Sequence, residues 1–190
     1  MEIFNLKKNV IPDPQDKYFL DTNVWYWFTY CGSKVFSEKN QPAPYQLRYY
    51  PAFVEKIQDE GAKIYHCPLI YTELANVIEH TEYKEYLDKS QSEITKKQYR
   101  EIKEEREKVI REINTAWRTI NSMSECLELN LNKDTIQATH TYLASSQLDA
   151  YDAIFLHFMK SHDLKMLVSD DRDLASAQIE QLFTANKNIF

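Results

Sequence analysis

Two short apolar runs at opposite ends of the sequence finish in the same way. Tyr18-Phe19-Leu20 ends on Asp21-Thr22-Asn23, and Leu167-Val168-Ser169 ends on Asp170-Asp171-Arg172-Asp173. Continuous apolar runs of this length are what strands look like when a parallel sheet buries both of their faces. In open α/β sheets, ligands gather just beyond the carboxyl ends of such strands. If the two strands are parallel neighbours, Asp21 and the Asp170/Asp171 pair leave the sheet at one edge. A lone Asp closing a strand is more often a turn former or a helix N-cap. Asp21 therefore becomes a site residue only through the company that other acids give it.

The chain between these runs alternates helical and extended patterns. Residues 1–17, with Pro12 and Pro14, read as an irregular lead-in, and a strand is expected at about 18–21. Trp25, Tyr26, Trp27, Phe28 and Tyr30 then suit a short helix that packs its rings in the core. The alternative for one or two of these rings is stacking on bases. After a loop over 37–44, Leu47, Tyr50, Phe53, Val54 and Ile57 recur at helical spacing, with Gly61 placed to end the helix. A strand at 63–67 leads to Pro68, which suits the first turn of a helix over 69–80. Its core face is Ile70, Leu74, Val77 and Ile78. Beside that face runs a stripe of Leu69, Glu73, Asn76 and His80, because residues three and four apart share a side.

From Thr81 to Glu112 the chain turns strongly charged, with nine basic and nine acidic residues. Glu93 to Lys97, Glu104 to Lys108 and Glu107 to Arg111 are spaced as helical i,i+4 pairs, and Ile102, Val109, Ile113, Trp117 and Ile120 form one apolar stripe. The pattern predicts a helical hairpin at about 81–123, with a long second helix, inserted into a single domain over 1–190. Its charges read first as a solvated face. The alternative is a partner or RNA surface built on Lys96, Lys97, Arg100 and Lys103. A short strand over 127–131, a helix capped by Asp134, a helix over 148–162, a strand over 165–169 and a closing edge strand complete the reading. Strands alternating with helices indicate an α/β fold with a mainly parallel central sheet.

Composition narrows the classes. Cys31, Cys67 and Cys126 are isolated and odd in number, so neither a disulfide framework nor a zinc site is indicated. No signal peptide and no membrane-length apolar window is present, so a cytoplasmic protein without membrane partners is the expectation. The net charge of -6 excludes a general basic nucleic-acid coat. It leaves room for a nucleic-acid substrate, because a bound divalent metal inverts the local field of an acidic site.

The acids are the informative residues. Asp152 lies on a helix whose surrounding stripe is Leu148, Phe155, Leu156 and Met159. A carboxylate there is expensive to desolvate unless it meets a cation, a donor or a solvated cleft. Asp149 sits nearer the helix start, where capping explains it, so Asp152 is favoured as the site residue. Clustered carboxylates raise one another's pKa values unless a cation occupies their centre. Hard oxygen ligands open to water suit Mg²⁺ or Mn²⁺.

Four segments, taken together and in order, resemble the acidic motifs of the PIN domain family. They are Asp21-Thr22-Asn23-Val24, Glu73-Leu74-Ala75-Asn76, Asp152-Ala153 and Ser169-Asp170-Asp171-Arg172-Asp173-Leu174, and they span residues 18–175. The resemblance implies a three-layer α/β/α fold and a Mg²⁺- or Mn²⁺-dependent ribonuclease acting on RNA, commonly a VapC-type toxin with a protein antitoxin. A homodimer is also implied. By position Asp21, Glu73, Asp152 and Asp171 carry over as the acidic quartet, with Asp173 sharing the metal role and Asp170 one register away. Thr22 or Ser169 would orient a ligand or a water, and Asn76 would support Glu73. The charged hairpin and the greater length depart from the compact toxins. Two other readings remain: a non-catalytic RNA- or protein-binding module, and a haloacid-dehalogenase-like phosphatase. The phosphatase requires a second Asp two positions after the first, where this chain has Asn23.

Overall fold

A computed structural model describes residues 1–177 and 179–190. Six strands form one sheet in which every pairing is parallel: β1 (Glu2–Asn5), β2 (Lys17–Leu20), β3 (Lys63–His66), β4 (Glu125–Cys126), β5 (Met166–Val168) and β6 (Gln181–Thr184). Their order across the sheet is β1-β6-β5-β2-β3-β4. The chain winds outward from β2 through β3 to β4, then returns to the other side of β2 as β5. The topological switch therefore lies between β2 and β5, where Leu20 is paired with Val168. Both acid-terminated runs end there as parallel neighbours.

Alternation along β2 shows why helices cover both faces. Tyr18 points to α2 (Pro44–Asp59), edge-on to Phe53 with ring centroids 5.7 Å apart. Phe19 points the other way to α7 (Ala150–Ser161), 5.4 Å from Phe155 and 5.3 Å from Phe158. The result is a sheet flanked by helical layers, with successive residues of one buried strand serving opposite cores. The aromatic cluster forms α1 (Thr22–Thr29), and Trp25, Tyr26, Trp27 and Tyr30 are buried, so these rings belong to the core.

Several boundaries differ from expectation. The lead-in contains β1, which pairs with β6 along its whole length; its polar ends, Glu2 and Asn5, hide an edge strand from a hydrophobicity pattern. For the same reason β6 is interior, between β1 and β5, and not an edge. The strand sought at 127–131 is the two-residue β4, and the helix after it, α6 (Lys133–Ser145), is capped by Asn132, with Asp134 in its first turn. The largest difference concerns the hairpin. The helix expected to stop at 80 runs on as α3 (Pro68–Ser90) until Gln91 turns left-handed at φ 52°. The rest of the hairpin is α4 (Lys96–Glu101) and α5 (Lys103–Met123). The insertion expected at 81–123 is thus partly the second half of a core helix.

Continuation of α3 depends on three buried acids, each supplied with donors from elsewhere. Glu79 meets Arg100, Arg106 and Lys96; Glu82 meets Lys34, Lys108 and the Tyr30 hydroxyl; Glu85 meets Ser37 and Asn40. Against this, α5 buries Val109, Ile113 and Ile120 of the expected stripe, together with Ala116, while Ile102 and Trp117 of that stripe are half-buried. Cys31 and Cys67 are buried and Cys126 is exposed, and all three are free thiols. No described helix is long and apolar enough to cross a membrane.

Candidate active site

Asp21 occupies the residue between β2 and α1. Its amide continues the ladder, donating to Val168 O at 3.0 Å, and its carbonyl accepts the first helical bonds from Val24 and Trp25. In backbone terms it is an N-cap, yet its side chain caps nothing in α1. The carboxylate turns across the switch point instead, and Ser169 Oγ donates to Oδ2 at 2.7 Å. The same Ser169 oxygen accepts from the Asp171 amide at 3.0 Å. One buried hydroxyl therefore ties the ends of β2 and β5 together and sets Asp171 beside Asp21.

Glu73 enters from α3, one and a half turns beyond Pro68. Its Oε2 accepts a hydrogen bond from the hydroxyl of Thr22, the residue after Asp21. Asp152 lies in the first turn of α7, where the carboxylate of Asp149 caps the helix by accepting from the amides of Tyr151 (2.8 Å) and Asp152 (3.0 Å). Asp149 is thereby occupied, while the half-buried Asp152 side chain accepts no hydrogen bond among the described residues.

The protonation balance of these acids follows from their shared burial. Burial pushes Asp21 up to about 6, opposed by the Ser169 hydroxyl and reinforced by the charge of Asp171. An apolar wall of Phe19, Phe155, Leu156 and Leu174 supplies that desolvation. Burial also raises Glu73 to about 7, against the Thr22 hydrogen bond and with the charge of Asp21. Asp152 is pushed up to about 8, first by burial and then by the charges of Asp21, Asp149, Asp171 and Glu73. No Lys or Arg pairs with any of the quartet among the described residues.

The acids after β5 part company. Asp170 points away from the centre and accepts from Tyr45 (2.8 Å), Gln46 (2.8 Å) and Tyr50 (2.6 Å), so it anchors α2 to the end of β5. Asp171 faces Asp21, and its Oδ1 accepts from the Asp173 amide at 2.7 Å. Asp173 itself is exposed and starts a 3-10 turn over Asp173–Ser176. Asn76 is exposed on α3 and makes no hydrogen bond to Glu73 among the described residues; Thr22 gives that support. Tyr45, Gln46 and Tyr50, which settle the role of Asp170, carry no sequence signal for it because they lie more than a hundred residues away. Only the amphipathic spacing of α2 hints that Tyr50 points inward.

In chemistry this donor set suits a hard divalent cation, being all oxygen, partly wet and without a protein counter-charge. Among the described residues, no three Asp, Glu, His or Cys side chains already stand in coordinating positions about one point.

Comparison with known proteins adds structural likeness alone. No family model and no curated protein matches the chain. Among solved structures, the crystal structure of PAE2754 from Pyrobaculum aerophilum is similar over 94% of this chain and 90% of that one, at 15% identity and a TM-score of 0.46.

Proposed function

We propose that the chain is a metal-dependent endoribonuclease in which Asp21, Glu73, Asp152 and Asp171 form the acidic centre. The observation that carries this is that four acids, from four separate elements at the switch point of a parallel sheet, lie near enough for Asp152 to feel the charges of the other three, with no cationic side chain paired to any of them among the described residues. A structural role would pair such groups or cap helices with them, as happens to Asp149 and Asp170. Leaving four carboxylates unpaired costs stability, and a bound cation offsets that cost.

When bound, Mg²⁺ or Mn²⁺ supplies a water of lowered pKa and neutralises charge on the phosphodiester during in-line displacement. Asp152, free of hydrogen bonds, is the carboxylate most available as a direct ligand. Asp21 offers the oxygen not held by Ser169, and Asp171 lies beside it. Asp21, Asp152 and Asp171 would hold the cation, and since no three acids converge as they stand, water would complete its shell. Glu73, whose proton affinity burial raises to about 7, would accept a proton from the attacking water. No side-chain nucleophile is required.

The test is cleavage of varied RNAs by the purified protein with Mg²⁺ or Mn²⁺, with chelator, and by Asp21→Asn and Asp152→Asn. Cleavage that needs the metal and disappears in both variants is the expected result. Cleavage that persists unchanged in both variants removes these acids from the mechanism. Absence of any cleavage by the wild type favours a binding module.

A further inference from the structure

Beyond the acidic centre, the hairpin carries an arrangement that neutralising Glu79 does not explain. Arg100 alone satisfies this carboxylate in bidentate fashion, Nε to Oε1 at 2.7 Å and Nη2 to Oε2 at 2.6 Å. Arg106 nevertheless adds Nη1 to Oε1 at 2.9 Å, and Lys96 lies 3.0 Å from Oε2. Three cations on one carboxylate leave an excess of two positive charges at one point of a chain whose net charge is -6. The cations stay accessible, Arg100 at 50% and Arg106 at 45% of side-chain surface, while Glu79 beneath them is at 6%. Of the five N–H donors on a guanidinium, Arg100 spends two and Arg106 one on Glu79. The buried carboxylate holds two arginine forks in place with free donors facing outward.

These arginines line a groove of about 340 Å³ between α3 and α5, together with Tyr71, Asn76 and Ile110. Tyr71 is 39% exposed and is braced edge-on by Trp117 at 5.1 Å, so an open aromatic face stands near the arginines. The groove shares α3 with the acidic centre: Glu79 is six residues from Glu73, roughly 9 Å along the helix axis and about 120° around it, so the groove lies on a neighbouring face of the same helix. Fixed guanidinium forks suit phosphate, and an exposed ring beside them suits an unstacked base.

We propose that this groove binds single-stranded RNA on a neighbouring face of the helix that carries Glu73, with Arg100 and Arg106 holding a phosphate and Tyr71 stacking on a base, an assignment that rests on the ribonuclease reading above. Pre-ordering of the arginines by Glu79 lowers the side-chain entropy lost on binding. Asn76 and Ile110 form the rim of the same track.

The experiment is fluorescence anisotropy of a labelled 12-residue oligouridylate with the full chain in chelator, which stops metal-dependent cleavage, over a range of salt. Arg100→Gln with Arg106→Gln should weaken binding at least about tenfold and lower the salt slope by about 0.7 for each phosphate that is no longer neutralised. Tyr71→Ala should weaken it about fivefold or more. Because the double variant disturbs Glu79, Ile110→Ala serves as a second probe that leaves all three cations and Glu79 unchanged, and with Tyr71→Ala it reads the apolar side of the groove; Ile110→Glu, which adds a charge four residues from Arg106, should weaken binding further. No binding by the wild type, affinities of Tyr71→Ala and Ile110→Glu within twofold of wild type, or tighter binding of polyglutamate than of the oligonucleotide would each overturn the proposal. Hydrolysis of bis(p-nitrophenyl) phosphate by the wild type with Mn²⁺ reads the acidic centre separately. A chain that hydrolyses this ester but ignores the oligonucleotide loses the groove and keeps the centre; one that binds without hydrolysing keeps the groove and loses the centre.

Discussion

Asp152 is a half-buried carboxylate with no donor and four acidic neighbours, and those facts fix the sign of its effects. With native affinities raised to about 8 for Asp152, 7 for Glu73 and 6 for Asp21, these three groups hold more protons in the folded chain. His66 and His80, lowered by burial, hold fewer below about pH 6.5, so the folded chain's excess is clearest from about pH 6.5 to 8. Stability then falls as pH rises through that window, because the raised carboxyls favour the native state only while they are protonated. For Asp21 alone, over its own range of about pH 4 to 6, the loss is on the order of 3 kcal/mol. Thermal melts in chelator should show Tm declining from about pH 6.5 to 8, and Mg²⁺ should flatten the decline. A chelated protein whose Tm rises over this range would contradict it. Asp152→Asn removes the repulsion without changing shape, so at pH 8 in chelator it should be more stable than wild type by about 2 kcal/mol. Under the proposed ribonuclease function, the same variant should lower RNA cleavage by about a hundredfold or more. Adjacent acids should behave oppositely. Asp170→Ala strips three donors from their acceptor and should cost about 3 kcal/mol in urea unfolding. Asp171→Asn should abolish cleavage at little cost in stability.

At the scale of elements, legibility follows the chemistry each segment displays. Strands buried on both faces are plain: β2, β3 and β5 lie within a residue or two of where their apolar runs, with Gly61 and Pro68 beside them, predict. Asp21, Glu73 and Asp152 stand out as candidates because each lies where an apolar pattern meets an acid, whereas Asp171 is singled out only by the family resemblance. Asp170 is not separable from Asp171 by sequence, since its partners Tyr45, Gln46 and Tyr50 come from a distant helix. The second half of α3 escapes the sequence reading because Glu79, Glu82 and Glu85 look like a solvated face. They are buried, and the cations that allow this lie on other segments. Pairing across elements leaves no periodic trace in either one. Glu82 tests the point: with a side chain only 3% exposed, it receives Lys34, Lys108 and the Tyr30 hydroxyl. Glu82→Ala leaves those donors converging on empty space and should destabilise by about 3 kcal/mol. The corresponding fall in Tm is about 6–12 °C for a chain of this size. A surface pair would cost about 1 kcal/mol or less, so the measured value decides between burial and solvation.

Whole-molecule behaviour follows from where α3 sits. Its first half packs Ile70, Leu74 and Ile78 into the core, and the same helix carries Glu79, Glu82 and Glu85 to α5 and the loop after α1. Val109, Ile113 and Ile120 of α5 belong to the core cluster that also contains Trp25, Phe53 and Phe158. The hairpin therefore shares its stability with the sheet and should not melt by itself. Tryptophan fluorescence can report this, because Trp25 and Trp27 lie in α1 while Trp117 lies on α5, 5.1 Å from the rings of His66 and Tyr71. In urea, the fluorescence of Trp117, isolated as the difference between wild type and Trp117→Phe, should give the same midpoint as far-ultraviolet circular dichroism. The slope of free energy against urea should match exposure of one 190-residue core. A Trp117 transition at clearly lower urea would make the hairpin a separate unit. The acidic centre would then depend on α3 only through Glu73, and cleavage should survive concentrations of urea that melt the hairpin. Under the shared core, cleavage and Trp117 fluorescence disappear together.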